Sequence, residues 1–107
     1  MTMLTQKSGN CITFVPKTSA HTNWITIRNY QGCYSNVGMN PYQGSQDISL
    51  KRGDCTYKGT IVHELMHAIG FWHEQNRPDR DQHIRINYGN IAQGMSDSSC
   101  YLKGSSV

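Results

Sequence analysis

His63, His67 and His73 set three imidazoles within the eleven residues HELMHAIGFWH. Two histidines four apart share one side of a helix, about 40° apart at 100° per residue. From there both can reach a single ion at roughly 2.0–2.1 Å. His73 cannot join them on a continued helix, because its distance from His63 would be about 15 Å along the axis. The chain must therefore reverse, and Gly70 lies where glycine's tolerance of the left-handed conformation permits a sharp turn. Three neutral imidazoles leave a fourth coordination position open, the ligand count of a catalytic rather than a structural zinc site. One zinc ion per chain is predicted. Such an ion lowers the pKa of water to about 7 and polarises a carbonyl oxygen. Glu64, beside a ligand but poorly oriented to be one, is placed as the general base, taking the water's proton and returning it to a leaving amine. His21 and His83 stand in polar, loop-like surroundings and are expected to be solvated bystanders.

An element has to carry the pair. From about Lys58 to Gly70 the apolar residues Ile61, Leu65, Ala68 and Ile69 recur at helical spacing, with Val62 beside them. His63 and His67 fall on the opposite side, and Glu64 at its flank. Thr56 or Thr60 is suited to cap the start, and Gly70 to stop the helix. Upstream, alternation predicts strands at Cys11–Val15, in NWITIRN, within Gly32–Gly38 and at Gln46–Leu50. Downstream come a polar loop through Asp81, a strand at 83–87 and a helical turn near Ile91. Strands first and one strong helix later predict an α+β fold.

The chain's 107 residues suffice for one domain at most. Its hydrophobic fraction of 36% is lean, beside about 45–50% in average domains. The net charge of +3 is spread along the chain rather than gathered on a stripe, so nucleic acid and anionic membrane are poor partners. No apolar run approaches the roughly 20 residues of a membrane span. MTMLTQKSGN lacks the apolar centre of a signal peptide. Cys11, Cys33, Cys55 and Cys100 lack C-x-x-C pairing. Four dispersed cysteines suit disulfides and an oxidising compartment, and three pairings remain open.

The stretch GTIVHELMHAIGFWHEQNRPDRD resembles the astacin family of secreted zinc endopeptidases, metzincins by their extended histidine motif. CITFVP, NWITI, GCYSNVG, QDISL and INYGNI extend the likeness over about Cys11 to Met95. The resemblance implies a small mixed sheet packed on the zinc-binding helix, the N-terminal lobe of a two-lobed catalytic domain. It implies zinc on His63, His67 and His73, Glu64 as general base, and a disulfide between Cys33 and Cys55. It places Gln46, Asp47, Ile48, Ser49 and Leu50 on a strand bordering the cleft, where a protein or peptide substrate lies as an added strand. Glu74 resembles a buried glutamate that meets the mature N-terminal amine in the family; here a solvated carboxylate is expected. Arg77, Asp79, Arg80 and Asp81 resemble a structural brace.

Departures from the family shape the rest. The family has a helix and a strand ahead of the segment at Cys11, and residues 1–10 are read as divergent and supplying neither. A lower lobe with an S-x-M-H-Y turn is expected to be missing, and Met95 is no substitute for its methionine. Cys11 lacks its usual partner, and Cys100 stands where the likeness has ended. Residues 96–107 read as a disordered tail. The expected protein is a secreted, monomeric metalloendopeptidase, with a catalytically inactive zinc-binding fragment or decoy as the alternative.

Overall fold

The computed structural model describes residues 1–91. The chain divides into two units, residues 1–71 and 72–107. The first holds α1 (Thr2–Lys7), β1 (Trp24–Arg28), β2 (Cys33–Ser35), β3 (Ser45–Leu50) and α2 (Lys58–Ala68). The described part of the second holds three single 3-10 turns, Glu74–Asn76, Arg80–Gln82 and Tyr88–Asn90. Met95, Cys100 and the tail 96–107 lie outside the described residues.

The sheet has the order β1-β3-β2. β3 runs parallel to β1, Trp24 opposite Ser45 through Arg28 opposite Ser49. It runs antiparallel to β2, with Cys33 opposite Leu50 and Ser35 opposite Ile48. This corrects the expectation that Gln46–Leu50 forms an edge. Alternation in a sequence reports which way side chains face, not which strands lie alongside. Ile48 and Ser49, both 0% exposed, occupy the doubly paired centre.

The core is small, as the lean composition requires. Leu4, Ile48, Leu65 and Ala68 form it, with Phe14, Ile25, Leu50, Ile61, Val62 and Met66 packed around them. Leu4 comes from α1, so residues 1–10 do supply a helix, contrary to expectation. One buried leucine is enough to anchor six helical residues, and too little to produce a readable period. Cys11–Val15 is not a strand, since alternation without a partner strand makes no ladder. Residues 83–87 are not one either: the amides of His83 and Ile84 both donate to the Arg80 carbonyl, which closes a turn instead. Tyr57 stands at the N-cap of α2 with no side-chain cap, so neither threonine serves there. A disulfide ties Cys33 at the start of β2 to Cys55 before α2, Cα to Cα 5.6 Å. Small sheet and single long helix together make the expected α+β architecture.

Candidate metal centre

α2 turns Ile61, Leu65 and Ala68 toward the sheet, and Glu64 stands within that same stripe, three after Ile61 and four before Ala68. Glu64 is accordingly 5% exposed and His67 9%. The helix therefore carries a carboxylate and an imidazole inward. Glu64 Oε2 is buried with no hydrogen-bond partner among the described residues. Such an atom costs roughly 1–3 kcal/mol, so stability alone does not account for it.

The reversal predicted at Gly70 is present. Gly70 has φ of +108°. Its amide donates to the His67 carbonyl at 2.8 Å, and the Phe71 amide donates to the Met66 carbonyl at 3.0 Å. These are the two bonds of a Schellman motif, which satisfies the last carbonyls of the helix and turns the chain away. The turn also aims a carbonyl at one of the three imidazoles: His67 Nδ1 lies 2.7 Å from Phe71 O. A carbonyl only accepts, so neutral His67 keeps its proton on Nδ1 and offers Nε2 as a lone pair. The role of Phe71 was not foreseen, because a main-chain carbonyl leaves no trace in residue type. Gly70 was the available signal.

His63 Nε2 lies 3.0 Å from His67 Nε2, with the rings edge to face. His63, His67 and His73 each offer one ligand atom, and these atoms all lie within 4.8 Å of one another. Two nitrogens bound at tetrahedral angles to a zinc at 2.0–2.1 Å stand about 3.4 Å apart. Three imidazoles at these separations fit that ion in donor chemistry and in spacing. The predicted cluster is thus brought together, and His21 and His83 are not part of it. His21 Nδ1 lies 2.9 Å from the Thr18 amide and hydroxyl, and His83 Nε2 lies 3.8 Å from Asp79.

The expected cleft residues Gln46–Leu50 all stand on β3, the central strand. Gln46 donates to the Asn36 carbonyl at 3.3 Å, Asp47 accepts from the Tyr30 hydroxyl at 3.0 Å, and Ser49 donates to the Gly32 carbonyl at 2.9 Å. In the second unit, Arg77 bridges Glu74 and Asp79 at 3.1 and 2.8 Å. Hydrogen bonds to both carboxylates, Asp79 first, push its guanidinium further up, and Arg77 holds the Asp79 carboxyl below the usual range. Glu74 is exposed and paired, as a solvated carboxylate should be. Arg80 is buried, donates to the Gln75 carbonyl at 3.0 Å and lies 3.4 Å from Asp81. Among the described residues, no helix is long and apolar enough to cross a membrane.

The sequence profile of the astacin peptidase family matches residues 1–103. Zinc metalloproteinase nas-15 of Caenorhabditis elegans is 52% identical over 88 residues, which cover 82% of this chain and 15% of that protein. High choriolytic enzyme 2 of Oryzias latipes is 49% identical over 81 residues, 76% of this chain and 28% of that protein. The solved structure of high choriolytic enzyme 1, a hatching enzyme zinc-protease of Oryzias latipes, superposes with a TM-score of 0.72 at 45% identity. That match covers 83% of this chain and 42% of the other. The matched part spans less than half the length of each of these relatives.

Proposed function

This chain belongs to the astacin family of peptidases, and on that premise we propose that it hydrolyses peptide bonds in proteins, with one zinc ion on His63, His67 and His73 and with Glu64 as general base. The observation that carries this reading is the meeting of three imidazole nitrogens, two of them on a helix that also buries a carboxylate oxygen with no hydrogen-bond partner among the described residues. When bound, zinc lowers the pKa of water and polarises a carbonyl oxygen. Everything else falls to the chain. The Phe71 carbonyl holds the His67 ring in the tautomer that leaves Nε2 available. Glu64 accepts a proton from the attacking water at a carboxylate oxygen and returns it to the nitrogen of the leaving amine. The added-strand arrangement moves one strand outward from Gln46–Leu50. β3 is paired on both sides, so β2 (Cys33–Ser35) offers the edge along which substrate backbone aligns. The Cys33–Cys55 disulfide suits a secreted protein.

Glu64→Gln is the test. It should retain one zinc per chain by atomic absorption and lose about 10²–10⁴ in hydrolysis of a protein substrate. Loss of zinc in that variant would make Glu64 a ligand and refute the assignment. A wild-type chain that holds zinc and cleaves nothing supports the alternative, a catalytically inactive zinc-binding fragment or decoy.

A further inference from the structure

We propose that Gln46 and Gly38 are positioning residues for the metal centre, acting through the main chain of His67. His67 is the ligand nearest the end of α2, one residue before its last residue, Ala68. Helix ends fray, so a ligand there needs support that the helix does not itself supply. The loop that follows β2 provides it. The Gly38 amide donates to the His67 carbonyl at 2.8 Å, onto the same oxygen that accepts from Gly70 at 2.8 Å. A carbonyl oxygen has two lone pairs and can take both. With its Nδ1 against the Phe71 carbonyl, His67 is held at both ring and backbone.

Gly38 meets this carbonyl only in a particular conformation, with φ of +74°. A Cβ there would stand 4.0 Å from Gly70 Cα, so the two glycines pass close together. Gln46 fixes the loop's other end. Its side chain is buried on β3, and Nε2 donates to the Asn36 carbonyl two residues before Gly38. A buried amide thus anchors Asn36, and Gly38 passes that constraint to a ligand. Hydrogen bonds that orient ligands from behind commonly change metal affinity 10–100-fold. The same loop continues directly from β2, so the edge proposed for substrate and the end of the ligand helix share one chain of bonds.

The inference rests on the zinc reading, and the experiment separates the two. The full 107-residue chain, its disulfide formed, is titrated with Co(II), and affinity and visible spectrum are recorded for the wild type, Gln46→Leu, Gly38→Ala and Gly38→D-alanine. Gln46→Leu and Gly38→Ala should bind about 10-fold more weakly with an altered spectrum. D-alanine takes positive φ without strain and keeps the amide, so Gly38→D-alanine should return both to wild-type values. Folded variants that match the wild type overturn the proposal, as does a D-alanine variant as weak as Gly38→Ala. Where Gln46→Leu fails to fold, the pair at position 38 decides; where Gly38→Ala fails, Gln46→Leu decides. A wild-type chain that takes up no Co(II) sinks the zinc reading and this proposal with it. Binding by wild type and variants alike sinks this proposal alone.

Discussion

Between Ile61 and Ala68 the chain turns a carboxylate and an imidazole inward, whereas from Arg77 to Asp81 it lays out four charges, Arg77 and Asp81 exposed, Asp79 half-buried and Arg80 buried. Both stretches are short and carry charged or polar groups, and eight residues separate them. They differ in what holds them. The first is set by apolar packing through Leu65 and Ala68, and its polar groups are carried along on the same stripe. The second has no such packing among the core residues, and its exposed ion pairs contribute little because water and salt screen them. Its buried member, Arg80, closes a turn on a carbonyl instead. A buried carboxylate oxygen with no hydrogen-bond partner among the described residues opposes folding, so Glu64 is better explained by chemistry. The exposed run is explained by local shape.

The comparison breaks first at Leu65. If apolar packing positions Glu64 and His67, Leu65→Ala should cost about 2–5 kcal/mol in denaturant unfolding. A loss under 1 kcal/mol would mean that the helix is held by something else. Arg80→Ala tests the other stretch at its buried point. It leaves the Gln75 carbonyl without one donor, so about 1–3 kcal/mol is expected. Arg77→Ala should move the unfolding midpoint much less, and equal effects at the two arginines would erase the distinction. Gly70→Ala falls close behind. Among the described residues, no heavy atom beyond its chain neighbours lies within 4 Å of an added Cβ, so the cost is backbone strain at φ +108°, about 1–2 kcal/mol. Weaker metal retention should accompany it, because that turn also presents the Phe71 carbonyl to His67.

How much of this was readable follows the same division. The helix, the histidine pair and the turn at Gly70 were legible because each rests on local spacing. Glu64's burial was not legible: its charge directs attention to the histidine side, although it stands three after Ile61 and four before Ala68. The place of Gln46–Leu50 was not legible. Its alternation fixes two faces, while its neighbours depend on where β1 and β2 return. Cys11–Val15 shows the converse, a strand pattern with no strand to pair. Leu4 shows a third case, where one buried contact settles a helix that residue types leave open.

Acid gives a smaller test. Arg77 lowers the Asp79 carboxyl, so the ion pair's contribution is present above the ordinary carboxylate range and is lost as pH falls through the depressed value. Asp79→Asn should lower the thermal midpoint slightly at neutral pH, where the pair contributes, and converge with the wild type below about pH 4, so its acid slope is flatter. A variant with the wild-type acid slope would assign that slope to other carboxylates.

The smallest expected effect lies on the sheet, where an exposed polar pair stands over strands the core holds in place. Tyr30 donates to Asp47 at 3.0 Å, and Arg28 lies 3.7 Å from the same carboxylate. The hydrogen bond to Asp47, aided by that residue's charge, holds the Tyr30 phenol above its usual ionisation. The sign is opposite to that of Asp79: the contribution is full below the ordinary tyrosine range and disappears as pH rises through the raised value. Asp47→Asn should therefore bring Tyr30 ionisation, followed by ultraviolet absorbance against Tyr30→Phe, to lower pH without changing Co(II) affinity. Neighbouring Gln46 should do the reverse, altering metal binding and leaving the phenol alone. If Asp47→Asn weakened the metal site as Gln46→Leu does, the two faces of β3 would not be separable, and exposed and buried polar groups on this strand would have to be treated as one network.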